Sequence, residues 1–285
     1  MRSMAKQTEG KLNYLEHLLP EGLLVDSSWL RKHGYSSSLR SQYVKRGWLE
    51  QPTRQVYSRK RGSQNWQQVV ISLQTLLGHH VIVGGRTALD LQGFAHYLTR
   101  ETKKVHLYGQ KRPPAWLNKL SVGVQFVWHN SASLFRSAPE KPEYSILKSP
   151  QFVKRSLGSE LESTDLAVQS WGQWGWSLTL SSPERAVLEL LNELPDRESF
   201  HQVDKLIDGL ANLSPRRLEK LLLDCRNVKV KRLFFFFADR HKHAWLKRIN
   251  KKAIDLGKGK RMLVRGGKLD PTYQITVPEG FDGVQ

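Results

Sequence analysis

The chain of 285 residues has length for about two domains of ordinary size, and its net charge of +19 and pI near 10.1 point to a polyanionic partner without favouring any fold. A single cysteine, Cys225, excludes an internal disulfide framework and suits a reducing cytoplasm. No segment approaches the ~18 apolar residues of a membrane span and the N-terminus lacks a signal-peptide core, so the expected location is cytoplasmic with no membrane partner.

Residues 8–19 read as a first helix with Leu12, Leu15, Leu18 and Leu19 on one side. Residues 27–58 then read as two short helices and a tight hairpin, a winged helix-turn-helix. Asp26 or Ser27 caps the first of these helices, Trp29 and Leu30 face inward, and Gly34 ends it in the left-handed conformation. Ser36 or Ser37 caps the second helix, where Leu39, Tyr43 and the stem of Arg46 share one face. Ser38, Ser41, Gln42 and Lys45 recur on the other at the i, i+3, i+4, i+7 spacing. Short polar side chains and one long cation suit a helix laid in a major groove. Gly47 closes the helix, Trp48 and Leu49 begin a strand, and a turn at Pro52, Thr53, Arg54 and Gln55 returns through Val56 and Tyr57. Arg54 then sits at the wing tip, within reach of a phosphate or a minor groove. A winged helix used for packing, with its serines merely solvated, is the alternative.

Arg59–Gln64 is a basic hinge, which divides the chain into a winged domain at 1–62 and a larger mixed domain at 63–285. The second part alternates: helix over Trp66–Leu77, strand over Val81–Val83, helix over Arg86–Leu91, strand-like runs at Lys104–Tyr108 and Val122–Trp128 broken by Pro113 and Pro114. Ser182 and Pro183 open a helix that Pro195 ends, and Phe200–Leu210 and Pro215–Cys225 repeat the pattern. Four consecutive phenylalanines carry no periodicity, so Val228–His241 fits strand or helix; Leu233, Phe236, Phe237 and Arg240 on one helical face favour the helix. Arg261–Val264 and Tyr273–Val277 read as a final hairpin turning at Gly266 and Gly267. The fold class expected is α/β or α+β.

The charge lies at two separated places. Residues 1–62 hold 12 Lys+Arg against 5 Asp+Glu, residues 63–204 hold 14 against 13, and residues 205–268 hold 19 against 5. The last excess suggests a second basic surface for DNA, RNA or an acidic protein face, with Arg240, Lys242, Lys247, Arg248, Lys251, Lys252, Lys258, Lys260, Arg261 and Arg265 as its candidates.

Catalytic signatures are weak. Gly84-Gly85-Arg86-Thr87 could offer backbone N–H groups to a phosphate, but it matches neither a Walker loop nor a dinucleotide fingerprint and reads better as a strand-to-helix turn. His241, His243 and Cys225 lack zinc-site spacing, and Glu184 in a helix first turn is explained by the helix dipole. Trp171, Trp174 and Trp176 could stack on bases, with a hairpin or core packing preferred. No catalytic residue, cofactor or metal is expected.

The winged N-terminus, GGRTALDLQGFAHYL at 84–98, SSPERAVLELL at 181–191 and LGKGKRMLVRGGKLDPTYQITVP at 256–278 together resemble the AbiEi family of bacterial antitoxins, regulators in AbiE-type (type IV) toxin–antitoxin systems. The resemblance implies a repressor of its own operon that binds inverted repeats in double-stranded operator DNA and counters a nucleotidyltransferase toxin. Carried to this chain, it puts the DNA-binding residues at Ser36, Ser37, Ser38, Arg40, Ser41, Gln42, Lys45 and Arg46, with Arg54 and Gln55 on the wing, and transfers no catalytic set. A protein- or RNA-binding module acting through the basic C-terminal region, with the winged helix as scaffold, is the alternative. Residues 129–178 match nothing in the resemblance.

Overall fold

The computed structural model describes residues 2–59, 62, 64–94, 103–137 and 165–281, with side chains described from Gly10 onward. The N-terminal part runs α1 (Arg2–Leu18), β1 (Leu24–Asp26), α2 (Ser27–Lys32), α3 (Ser37–Lys45), β2 (Glu50–Thr53) and β3 (Val56–Ser58). The three strands form an antiparallel sheet in the order β1-β3-β2, the element order and pairing that a winged helix requires. Leu15, Leu19, Leu30, Tyr35, Tyr43 and Val56 fill the space between helices and sheet. Burial pushes the Tyr35 phenol up to about 12, and its hydroxyl donates to the Lys11 carbonyl at 2.8 Å, tying α1 to the α2–α3 turn.

Local chemistry sets the joints. Asp26 accepts from the Trp29 amide at 2.7 Å and Ser36 from the Leu39 amide at 3.3 Å, each satisfying an amide that has no partner within its own helix. Gly34 and Gly47 close α2 and α3 at φ 84° and 72°, where a side chain would strain the backbone. The wing departs from expectation at its start. Trp48 and Leu49 are not strand: their amides turn back to the Tyr43 carbonyl and finish α3, and pairing begins at Glu50. The turn is also tighter than expected, with Thr53 opposite Val56 and Gln55 at φ 67°. Pro52 therefore lies within β2, an edge strand that can forgo its amide.

The larger part centres on a five-stranded sheet of β4 (Ile82–Val83), β5 (Lys104–Gly109), β6 (Gln125–Asn130), β7 (Leu166–Trp171) and β8 (Trp176–Ser181), in the order β6-β5-β4-β8-β7. The β5–β6 and β4–β8 pairs are parallel, the others antiparallel. The tryptophan-rich stretch is the β7–β8 hairpin, with Trp171 opposite Trp176 and Trp174 at the tip, 56% exposed. Helices α4 (Trp66–Thr75), α5 (Gly85–Leu91) and α6 (Pro183–Asn192) accompany the sheet. Next come α7 (Phe200–Asp208), α8 (Pro215–Asp224) and α9 (Val228–His241). Helix α9 is buried on every side over Val230–Ala238, all four phenylalanines included, which is why its sequence shows no clear amphipathic period.

One hydrophobic core runs through both parts, from Leu15 to Phe281. Helix α4 joins them: the Ser72 hydroxyl accepts from the Leu24 amide at 2.9 Å, while the Gln74 side chain bonds the Thr179 backbone on β8. The basic connection after β3 is anchored too, Arg59 donating to the Glu16 and Leu19 carbonyls.

The C-terminal hairpin differs from the sequence expectation. Its strands are β9 (Lys268–Asp270) and β10 (Ile275–Val277), turning through 271–274, and Arg261 makes only an isolated parallel bridge to Ile275. Asp270 accepts from the Tyr273 amide at 2.6 Å and Gln274 takes φ 52°, so Asp270-Pro271 makes the turn. Gly267 instead lies hard against the Val277 carbonyl, where a Cβ would not fit.

Candidate nucleic-acid interface

The rotation of α3 is fixed from inside. Tyr43 is fully buried, edge-on to Tyr35 and Trp48 at centroid separations of 6.2 and 5.2 Å, and Leu39 and Val44 pack partly beside it. With that side locked inward, helical spacing turns Ser38, Ser41, Gln42 and Lys45 outward, and all four are exposed. Ser37 and Arg46 are exposed at the two ends of the helix, the Arg46 guanidinium lying 5.0 Å from the centre of the Trp48 ring. Ser36 is exposed, but its hydroxyl is engaged as the cap and by Ser38 at 3.0 Å. Arg31 and Lys32, in the last turn of α2, and Arg54 and Gln55, at the hairpin tip, are exposed as well.

Arg40 does not join this surface. Its guanidinium turns back to donate to the Ser27 carbonyl at 3.2 Å and the Tyr35 carbonyl at 3.0 Å, and it lies 5.8 Å from the centre of the Tyr57 ring. It clamps α3 to the start of α2 and to β3, satisfying carbonyls that no regular element serves.

The basic C-terminal candidates also divide. Arg240 pairs with Asp204 at 3.2 Å and rests against the Phe281 ring, and Lys251 bonds Asp239 and Tyr273, so both cations serve the fold. Lys242, Lys247, Arg248, Lys252, Lys258, Lys260, Arg261 and Arg265 are exposed.

Beneath the sheet lies a polar network that sequence reading missed. Glu189 on α6 accepts from the Gly85 amide at 2.9 Å, the Ser181 hydroxyl at 2.8 Å and the Arg185 side chain at 2.9 Å. Burial pushes its carboxyl pKa up, and Arg185 opposes the shift. The Gly84-Gly85 turn thus already holds an internal carboxylate, and a Cβ at Gly84 would strike Glu189 and Tyr108. Arg86 makes a two-pronged pair with Glu198 at 2.8 and 2.7 Å.

Further along, His106 on β5 and His129 on β6 meet nitrogen to nitrogen at 2.9 Å, and His129 reaches Glu193 at 3.2 Å. These three could in principle hold a cation. Their arrangement suits a shared proton better: the imidazole planes are 11° apart with centroids at 5.1 Å, so the two nitrogens face each other nearly in line. An ion between them at ~2.0 Å from each would need roughly 3.3–4 Å. Burial, and then the neighbouring His129, push the His106 pKa down to about 4. Parallel pairing of β5 and β6 assembles the group, a contact invisible to local spacing.

A family model described as "Transcriptional regulator, AbiEi antitoxin, Type IV TA system" matches residues 102–278, and one described as "Transcriptional regulator, AbiEi antitoxin N-terminal domain" matches residues 8–100. No curated protein matches. Among solved structures, the chain is similar to the crystal structure of the RV2827C protein from Mycobacterium tuberculosis, at 16% identity and a TM-score of 0.51, over 93% of this chain and 88% of that one. At that identity the likeness is one of fold. Among the described residues no helix is long and apolar enough to cross a membrane.

Proposed function

This chain belongs to the AbiEi family of antitoxins, transcriptional regulators of type IV toxin–antitoxin systems, and on that premise we propose that it represses its own operon by laying α3 in the major groove of inverted repeats. The observation that carries this reading is the outward face of α3, short polar groups and one lysine held at fixed rotation by buried Tyr43. Ser37, Ser38, Ser41, Gln42 and Lys45 read base edges, while Arg31, Lys32, Arg46 and Arg54 anchor phosphates and set the register. With ~5 phosphates neutralised, log affinity falls against log salt with a slope of about −4.5.

The larger part of the chain counters a nucleotidyltransferase toxin encoded beside it, and the protein has no enzymatic activity of its own. The family supports the first statement. Supporting the second, Glu189 is held by Arg185, the Ser181 hydroxyl and the Gly85 amide, and His106, His129 and Glu193 bond one another in a chain. Because one core spans both parts, the two roles are best separated in the full-length protein. Gln42→Ala with Lys45→Ala is expected to abolish repression of a promoter reporter while protecting cells that express the toxin. Loss of protection together with repression, in a variant that is folded, would merge the two roles; unchanged repression would remove α3 as the reading helix.

A further inference from the structure

Strand β6 is one edge of the five-stranded sheet among the described residues, and Gln125–Asn130 includes none of the lysine, arginine or proline that ordinarily guards an edge against a further strand. The parallel ladder decides which of its peptide groups face away. The Gln125 amide donates to the Lys103 carbonyl at 2.9 Å, so Gln125, Val127 and His129 bond toward β5 while Phe126 and Trp128 turn their peptide groups outward. At Phe126 those groups are taken: the amide donates to the Asn118 side chain at 2.9 Å and the carbonyl accepts from it at 3.0 Å, as a neighbouring strand would pair. The backbone of Trp128 has no such partner among the described residues.

Beside that open edge lies a pocket of about 280 Å³, formed where the chain crosses from β5 to β6. Pro113, Pro114 and Leu117 line it from the crossover. Phe126 and Trp128, two positions apart and therefore on one face of the sheet, line it from the strand. Leu117 and Phe126 are buried, and the Asn118 bonds pin the crossover to β6, so the pocket is shaped before anything enters it. The Arg112 guanidinium stands 5.1 Å from the centre of the Trp128 ring, and the indole nitrogen, shielded from water, has no acceptor among the described residues. The charge around the pocket is of one sign. Residues 103–137 hold six Lys+Arg and no Asp or Glu, and Lys111, Arg112 and Lys119 are exposed with no ion pair among the described residues.

We infer that this edge is a docking site for an acidic, extended segment of a protein partner, which adds a short strand beside Trp128 and seats one apolar side chain in the pocket. Paired residues of neighbouring strands project from the same face of a sheet, so the residue opposite Trp128 stands over the pocket that the Trp128 ring lines. Main-chain bonds to an open edge give affinity to any extended segment, and the pocket then selects its side chain. Lys111, Arg112 and Lys119 select for carboxylates on either side of that anchor. A nucleic acid fits this edge less well, having no repeating amide and carbonyl with which to continue the ladder. The site is separate from α3 and does not depend on how DNA is read.

The test selects random peptides of about 12 residues, displayed on phage, against the full-length protein, and measures the enriched peptides by fluorescence anisotropy. They are expected to carry one large apolar residue flanked by Asp and Glu, and to bind roughly tenfold more weakly once a backbone nitrogen beside that residue is methylated. Arg112→Glu, which reverses the charge over the indole, and Ala115→Trp, which fills the pocket from an exposed wall position, are each expected to weaken the same peptides roughly tenfold or more. Affinity for a promoter duplex stays unchanged in both variants. A library that yields no peptide, peptides without acidic residues, or binding that survives both substitutions overturns the inference. Indifference to backbone methylation overturns the added strand. A short single-stranded RNA that binds the parent and is lost from both variants, where the peptides are not, assigns the edge to RNA and overturns it as well. If thermal melting shows Ala115→Trp to be unfolded, Arg112→Glu, an exposed side chain that contacts the Trp128 ring, gives the same readout alone.

Discussion

Replacing Arg40 by alanine separates a clamp from a contact within one nine-residue helix. Arg40 donates to two carbonyls, at 3.2 and 3.0 Å, and lies against the Tyr57 ring. A hydrogen bond to a charged group is worth about 1.5–3 kcal/mol when shielded, and an arginine on an aromatic face about 0.5–1 kcal/mol. Arg40 is only half-buried and water can take up its carbonyls, so the expected loss on Arg40→Ala is about 2 kcal/mol of folding stability. Lys45→Ala, on the exposed face one turn further, should stay within ~0.5 kcal/mol. DNA binding inverts the order: Lys45→Ala removes a base contact and costs ~1–3 kcal/mol of promoter preference, and Arg40→Ala leaves preference and salt slope unchanged. Urea unfolding and anisotropy titrations from low to moderate salt measure both quantities on the same preparations. An Arg40→Ala protein of full stability with a slope shallower by about one would place this arginine on a phosphate and refute the reasoning.

Glu189→Gln leaves the buried guanidinium of Arg185 without its carboxylate and should cost about 3–5 kcal/mol in urea unfolding; a loss below about 1 kcal/mol would show the pair to be dispensable. His106 is held at about 4 against an ordinary 6.5, so the unfolded chain binds the extra proton first. Its contribution is complete above pH 6.5 and is lost as pH falls toward 4, about 3 kcal/mol in all. Comparing acid unfolding of the parent with His106→Gln isolates that share, and parallel pH profiles would contradict it. His241 works in the opposite sense, since its hydrogen bond to Asp204 raises its pKa. Its contribution is complete below the unfolded value of 6.5 and is lost as pH rises through the raised folded one, a drift that His241→Gln should abolish.

The elements most legible in the sequence were those governed by local rules. Capping serines, Gly34, Gly47 and the Ser182-Pro183 start mark helix ends because the chemistry of a terminus lies within four residues of it. The polar face of α3 was legible for the same reason. Arg40 was not, because the carbonyls it serves are orphaned by tertiary geometry and not by helix period. In the C-terminal hairpin two turn signals competed. Gly266-Gly267 looked like the turn, but Gly267 is glycine for lack of room and the turn fell to Asp270-Pro271. The His106–His129–Glu193 group and the Glu189 anchor gave no sequence signal, since strand order and the packing of α6 bring together residues from 8 to more than 100 positions apart.

The central claim is that the outward side chains of α3 choose the DNA sequence. Its most direct measurement is the affinity of the full-length protein for its own promoter duplex and for a scrambled duplex at one fixed salt concentration, with and without Gln42→Ala and Lys45→Ala. The account predicts a clear preference in the parent, reduced by ~1–3 kcal/mol for each base contact removed, while binding to scrambled DNA changes little. Equal affinity of the parent for both duplexes, or a preference that survives both substitutions, would contradict it.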